Sequence, residues 1–130
     1  MSPASRLAMA LTLAALAPAG AALAQPTVIK VELSEYKFAP AEIDLNRGQS
    51  YVLHLTNTGG KGHDLSAKGF FQTVSLSPGS AAKVKNGAVD LDQGESTDIA
   101  FIPQAAGTYE MHCTHFMHSM LGMKGQIVVR

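Results

Sequence analysis

From Gln25 onward, apolar and polar side chains alternate with a period of two residues. In the stretch Val28 to Leu33, the apolar residues Ile29, Val31 and Leu33 alternate with polar ones, and similar stretches recur along the chain. This period is typical of strands with one face in a core, because successive side chains of a strand point to opposite sides. Turn-forming runs separate the stretches at intervals of roughly ten residues. The pattern predicts an all-β fold, an antiparallel Greek-key β-sandwich or barrel of about seven to eight strands.

Residues 66–94 carry the weakest pattern in this part of the chain. Within them, Asn86-Gly87 is typical of a two-residue turn and predicts a small hairpin. We find no capped amphipathic segment of helical length, no internal repeat and no domain linker. One domain is therefore expected.

The first 24 residues differ from the rest of the chain. Residues 7–24 hold no charge and consist mostly of Ala and Leu, after a short segment whose one basic residue is Arg6. The run ends at Ala22-Leu23-Ala24, a small-x-small pattern that signal peptidase recognises. The alternative is a retained membrane anchor, but Pro18 and Gly20 interrupt the run. We expect a signal peptide at 1–24, a mature domain at 25–130 with no membrane span, and a periplasmic or secreted location.

The charge balance excludes some partners. The chain has 10 Lys+Arg and 10 Asp+Glu, and loss of Arg6 with the signal peptide leaves a net charge of −1. A protein with such a balance of charges is not expected to present a basic surface to nucleic acid or to an anionic membrane. We expect a monomer that binds neither.

Cys113 is the single cysteine. In an oxidising compartment an unpaired thiol is open to oxidation unless something protects it. One cysteine excludes an internal disulfide, a four-cysteine zinc site and a two-thiolate copper centre. A buried inert thiol, a nucleophile and a metal-bound thiolate remain.

The residues around this cysteine favour a metal. Three of the five histidines and all four methionines after residue 24 lie between residues 111 and 123: Met111, His112, His115, Met117, His118, Met120 and Met123. Thiolate, imidazole and thioether together form a ligand set that favours copper over calcium, magnesium or manganese.

One spacing within this run predicts a site. In Cys113-x4-His118-x4-Met123, a predicted strand leads into the run and another leads out of it. A loop between two strands can direct three side chains at one ion. A fourth ligand then comes from another strand, and His63, after a glycine-rich loop, is the natural donor. The set is two imidazoles, one thiolate and a distant thioether.

These residues resemble the cupredoxins, the plastocyanin and azurin family of small blue-copper proteins. The shared pattern consists of the run Gly60-Lys61-Gly62-His63-Asp64, then Ala-Gly-Thr-Tyr-x3-Cys ending at Cys113, then Cys-x4-His-x4-Met-x-Gly ending at Gly125. The last loop is similar to those of auracyanin-like and periplasmic copper-tolerance cupredoxins. The resemblance implies that His63, Cys113, His118 and Met123 bind one type 1 copper ion.

The resemblance also implies a function. It indicates an exported one-electron carrier rather than an enzyme, since protein ligands would fill all positions around the metal, with a redox partner docking near His118. The alternative is a periplasmic copper-tolerance or copper-handling protein. A weaker alternative is a zinc-binding protein that uses the same residues.

Two features depart from the family pattern. Asp64 stands where blue-copper carriers commonly have Asn, whose amide ties the two ligand loops together; an ionised carboxylate cannot donate that hydrogen bond. His112 and His115 are either solvated or form, with Met117 and Met120, a second and weaker copper site.

Overall fold

The structure is a computed structural model that describes residues 14–16 and 25–130. Most of the predicted signal peptide lies outside these residues, and its cleavage stays a prediction. Within the described ranges the chain forms ten strands and two short helices. The strands are β1 (Thr27–Ser34), β2 (Lys37–Ala39), β3 (Glu42–Leu45), β4 (Tyr51–Asn57), β5 (His63–Ser66), β6 (Val74–Leu76), β7 (Ala88–Leu91), β8 (Ser96–Pro103), β9 (Gly107–His112) and β10 (Lys124–Val129), and the helices are α1 (Lys68–Phe71) and α2 (Pro78–Ala81).

The strands form two five-stranded sheets around one core. Their orders are β2-β1-β4-β8-β6 and β3-β10-β9-β5-β7. This arrangement confirms the predicted all-β sandwich. The strand number exceeds the expected seven to eight, because some strands show no alternation in the sequence. The β2 strand has three residues, and all four residues of β5 are buried.

Two strand pairs run parallel, whereas antiparallel pairing was expected throughout. The β1 strand pairs with β4, where Val31 lies opposite Leu55, and β10 pairs with β3, where Ile127 lies opposite Ile43. The cause is the path of the chain. After the β1–β2 hairpin the chain crosses to the other sheet as β3, so β4 returns beside β1 in the same direction. Parallel partners of this kind need a long connection.

The alternation seen in the sequence corresponds to burial. In β4, Tyr51, Leu53 and Leu55 are buried, while the residues between them are half-buried. In β9 and just beyond it, Met111 and Cys113 share the buried face. The core therefore continues from the middle of the sandwich to the cysteine at its end.

The weakly patterned segment contains α1, β6, α2 and β7. The predicted Asn86-Gly87 turn is confirmed: both residues have positive φ, 51° and 75°, and Lys85 and Ala88 exchange backbone hydrogen bonds of 2.9 and 3.0 Å. A Cβ on Gly87 would lie 2.6 Å from Lys68 Cα. Glycine is thus required here by both conformation and space.

None of the helices in the described part of the chain is long and apolar enough to cross a membrane.

Candidate metal centre

The loop between β9 and β10 carries three of the four predicted ligands. The last residue of β9, His112, pairs with the first residue of β10, Lys124. Just beyond this pair, the amide of Cys113 donates to the carbonyl of Met123 over 3.1 Å, and the amide of Met123 donates to the carbonyl of His118 over 3.0 Å. These bonds close the loop at its base and bring the three residues to one end of the sheet.

His63 reaches the same place from β5. It is the first residue of that strand, and β5 pairs with β9 through Ser66 and His112. The Nδ1 atoms of His63 and His118 are 3.1 Å apart, and Cys113 Sγ lies 3.5 Å from His118 Nδ1. Donor atoms of His63, Cys113 and His118 all lie within 4.8 Å of one another, and the three side chains are buried. Met123 is fully buried at the end of the same loop.

The spacing of these donors fits a small divalent or monovalent metal ion. Two nitrogens bound to one ion at about 2.0–2.1 Å in tetrahedral geometry are about 3.3 Å apart, and a nitrogen and a thiolate sulfur about 3.6 Å apart. The distances in this site are 3.1 and 3.5 Å. The ligand types are those of mononuclear type 1 copper, two imidazoles and a thiolate with a thioether available. The cluster of His63, Cys113 and His118 therefore fits a single copper ion, and its donor atoms already lie close together.

Burial shifts the acid–base behaviour of two of these groups. It raises the pKa of the Cys113 thiol. It lowers the pKa of His118, and electrostatic repulsion from His63, His115 and Lys61 acts in the same direction. A neutral imidazole is the form that binds a metal, whereas a thiol must lose its proton. The imidazole of His118 is thus poised for ligation, and the thiol must release a proton as the metal enters.

Asp64 ties the two ligand loops together despite being an acid. The backbone amide of Thr114 donates to Asp64 Oδ1 over 2.7 Å, and the Thr114 hydroxyl donates to Oδ2. A carboxylate cannot donate a hydrogen bond, so the residue type alone left this tie in question. The structure resolves the question by reversing the direction: the loop that follows Cys113 supplies the donors, and the residue after His63 accepts them.

Asn57, which the sequence analysis did not single out, fixes the loop before His63. Its side chain is fully buried. Its Nδ2 donates to the carbonyls of Lys61 (2.8 Å) and Leu91 (3.0 Å), and its Oδ1 accepts from the amide of Gly59 over 2.9 Å. An Asn at the end of an alternating strand, before a glycine-rich loop, was the available sequence signal.

The turn between β1 and β2 is a second part of the site that the sequence did not reveal. Glu35 Oε1 lies 3.7 Å from His63 Nε2. The Tyr36 ring meets the His118 ring edge-on, with centroids 5.2 Å apart. The two residues are distant from the ligand loop in sequence, and only the pairing of β1 with β4 brings them to it.

The histidines outside the ligand set have separate surroundings. His115 Nε2 lies 2.9 Å from Asp90 Oδ1, and the His115 ring stacks on His118 with centroids 5.6 Å apart. Donor atoms of Asp64, Asp90 and His115 form a second group within 4.8 Å. His112 is half-buried beside Glu110 and belongs to neither group among the described residues. A second copper site that uses His112, His115, Met117 and Met120 stays a prediction.

An apolar surface surrounds the ligand loop. Phe116, Met117, Met120 and Leu121 are exposed, with Phe116 at 88%. His118 retains 8% exposure among them. Monomeric proteins rarely expose several large apolar side chains in one loop without a use for them.

A curated relative and a family model match this chain. A family model of the cupredoxin-like domain matches residues 6–129. The copper-resistant cuproprotein CopI of Rubrivivax gelatinosus is 32% identical over 119 residues, which cover 87% of this chain and 72% of that protein.

Solved structures with the same fold fall into two groups. The dithionite-reduced auracyanin of Roseiflexus castenholzii superposes with a TM-score of 0.61 at 25% identity, over 82% of this chain and 99% of that one. Auracyanin A of Chloroflexus aurantiacus gives 0.59 at 21% identity, over 82% and 100%. A multicopper oxidase of Campylobacter jejuni gives 0.60 at 13% identity, but this chain covers only 31% of it. The sandwich, the donor cluster at its end and the match along nearly the whole chain lead to one conclusion: the chain belongs to the cupredoxin-like domain family.

Proposed function

We propose that this chain binds one copper ion through His63, Cys113, His118 and Met123 and acts as a one-electron carrier. The observation that carries the proposal is the buried cluster of His63, Cys113 and His118, whose donor atoms lie within 4.8 Å of one another. When bound in such a set, copper cycles between Cu(II) and Cu(I). The bonds at the base of the loop hold the ligands in place, so little rearrangement opposes the gain or loss of an electron.

Electron transfer without catalytic turnover fits the arrangement of the side chains. His63, Cys113 and Met123 are at most 1% exposed, whereas His118 retains 8% exposure. With four protein ligands no position would remain open to a substrate, as catalytic metal sites require. His118 is the ligand closest to solvent, so electrons would pass through its edge to a redox partner that docks on the surrounding apolar side chains.

The proposed setting is the periplasm or the extracellular space. The apolar residues 7–24 and the Ala22-Leu23-Ala24 pattern support export. A thiolate held by copper would also be protected from the oxidants of that compartment. We propose a monomer after removal of the signal peptide.

A role in copper handling is the second candidate. The similarity to a copper-resistant cuproprotein supports it. So do Met117 and Met120, which are exposed at 44% and 78% beside the site. Thioethers at a surface exchange readily and bind Cu(I) well.

Titration of the metal-free protein with copper separates the candidates. A carrier takes up one equivalent and gives an intense thiolate-to-Cu(II) visible band with narrow copper hyperfine splitting. A handling protein binds two or more equivalents that a chelator removes readily. Failure of Cu(II) to produce the band would exclude a type 1 site, and stable uptake of zinc alone would favour the zinc alternative.

A further inference from the structure

The β1–β2 turn contacts both imidazoles of the donor cluster. Glu35 lies beside His63 and Tyr36 lies against His118. Tyr36 has a φ of 61°, a left-handed conformation that is uncommon for a residue other than glycine. A tight turn in this conformation places two consecutive side chains on two different histidines.

One ring nitrogen of His63 needs a partner that the rest of the site does not supply. His63 Nδ1 lies 3.1 Å from His118 Nδ1, while Nε2 lies on the side of Glu35 and Gly59. The Nε2 atom is fully buried and has no hydrogen-bond partner among the residues that the structure describes. If Nδ1 binds a metal, the neutral ring carries its proton on Nε2, and a buried N–H requires an acceptor.

Glu35 is the acceptor in reach. Its Oε1 lies 3.7 Å from Nε2, slightly beyond hydrogen-bond length and within the range of an ion pair. We infer that Glu35 is a positioning residue, whose carboxylate accepts the Nε2 proton of His63 and orients that ring for metal binding through Nδ1. This inference rests on the proposed function, since it takes His63 as a copper ligand.

The neighbouring loop is built to hold this carboxylate in place. The amide of Gly60 donates to Glu35 Oε1 over 2.5 Å. That hydrogen bond holds the carboxylate oxygen on the side of the turn that faces His63. Gly59 is equally important, because a Cβ on it would lie 2.7 Å from Glu35 Oε1 and 2.8 Å from His63 Nε2. Only glycine at position 59 leaves room for the carboxylate and the ring to approach each other.

A negative charge on the far side of a metal-binding imidazole has a definite consequence. It makes the ring a stronger donor through its other nitrogen and strengthens metal binding, particularly of the more highly charged ion. Glu35 is therefore expected to favour Cu(II) over Cu(I) and to lower the reduction potential of the site.

The decisive comparison is between Glu35→Gln and Glu32→Gln in the copper-loaded protein. Gln at position 35 keeps an oxygen for the Gly60 amide but removes the charge. Glu32 provides the matched control, because it lies on β1 just before the turn that carries Glu35 and accepts from the Thr58 hydroxyl over 2.8 Å. Among the described residues no ion pair joins it to a histidine. We expect Glu35→Gln to weaken Cu(II) binding by about 10- to 100-fold and to raise the reduction potential, with Glu32→Gln unchanged.

A second pair of variants tests whether the Glu35 carboxylate must lie close to the His63 ring. In Gly59→Ala the new methyl group separates carboxylate and ring, whereas in Gly60→Ala it meets Glu35 Oε1 at an ordinary 3.6 Å. We expect the first to reproduce the effects of Glu35→Gln and the second to have little effect. Nitrogen-15 NMR of the zinc-loaded protein should show a protected Nε2 proton on His63, with less protection in Gly59→Ala and a shifted resonance in Glu35→Gln.

The outcomes distinguish this inference from the proposed function. Wild-type protein that forms the thiolate band, with Glu35→Gln equal to Glu32→Gln in affinity, potential and His63 resonances, would overturn the role of Glu35 alone. Absence of the band in wild-type protein would overturn the copper site, and the role of Glu35 with it.

Discussion

Asp64 Oδ1 accepts a hydrogen bond from the backbone amide of Thr114 over 2.7 Å, so the residue after one proposed ligand, His63, is bonded to the residue after another, Cys113. Asp64 itself is buried, with 5% exposure. Asp64→Ala removes both bonds and leaves the Thr114 amide without its acceptor. We expect a loss of about 2–3 kcal/mol in the free energy of unfolding of the metal-free protein, measured by denaturant unfolding.

Asp64→Asn provides the matched comparison. The Asn oxygen still accepts from the Thr114 amide, and its NH2 group donates to the Thr114 hydroxyl, so the tie survives with different polarity. The loss should be smaller than for Asp64→Ala by about 1 kcal/mol or more. Equal losses in the two variants would mean that the charge, rather than the hydrogen bonds, stabilises this contact.

Asn57 should be among the most sensitive polar residues of the site. In Asn57→Ala the carbonyls of Lys61 and Leu91 lose their donor, and we expect destabilisation by about 2–3 kcal/mol. In Asn57→Asp a buried carboxylate would face those carbonyls, so this nearly isosteric change should destabilise at least as much. Thermal unfolding of both variants checks the order. An Asp variant as stable as wild type would contradict the assigned donor role.

Gly125 is expected to tolerate no side chain. A Cβ at this position would lie 2.1 Å from the backbone oxygen of Ala41 and 2.7 Å from Met111 Cε. The backbone of β10, or that of Ala41 just before β3, must therefore shift in Gly125→Ala, and overpacking of this kind costs about 1–3 kcal/mol. Gly79→Ala is the control, because no atom of the described part of the chain lies within 4 Å of a Cβ at that position. Denaturant midpoints of the two variants should differ clearly.

Cys113 and His115 should respond differently to substitution. Cys113→Ser removes the thiolate and should abolish the visible copper band. His115→Ala should retain it, because His115 Nε2 lies 2.9 Å from Asp90 rather than in the donor cluster. Its stacking on His118 predicts at most a small shift of the band. Visible and EPR spectra of the copper-loaded variants check both, and loss of colour in His115→Ala would identify it as a ligand.

The apolar surface around His118 should affect the association of two protein molecules rather than the properties of the copper site. Phe116 is 88% exposed, so Phe116→Ser should leave stability and spectrum unchanged. It should slow electron self-exchange by about tenfold if the aromatic ring is a contact point between molecules. Val28→Ser, on β1 and 56% exposed, is the control. NMR line broadening in mixed Cu(I)/Cu(II) samples measures the rate, and equal rates would place the docking surface elsewhere.

The sequence predicted those parts of the molecule that depend on local pattern. The alternation along strands such as β1 predicted the sandwich, which the two sheets confirm. The spacing of Cys113, His118 and Met123 predicted three donors in one loop, and the structure brings Cys113 and His118 together with His63. The sequence could not predict β5, since a strand buried on both faces shows no alternation. The parallel pairings also left no local signal, because they depend on where β3 crosses between sheets.

The surroundings of the donors were harder to predict for the same reason. Glu35 and Tyr36 lie beside histidines that are distant in sequence. An exposed acid in a hairpin turn also has no sequence pattern that distinguishes it from other surface acids. Asp64 shows a different difficulty. Its residue type suggested a missing donor, yet the donors belong to Thr114, and only the geometry reveals which side of a hydrogen bond supplies the proton.

The position of His63 means that a bound metal would also stabilise the fold. His63 and His118 are separated by 55 residues along the chain. An ion bound to both therefore closes a long loop of the polypeptide, and a closed loop reduces the entropy of the unfolded chain. Secreted proteins usually obtain such a crosslink from a disulfide, which a chain with one cysteine cannot form. In this protein the bound metal would provide the crosslink, so metal binding would stabilise the folded state and folding would favour metal binding.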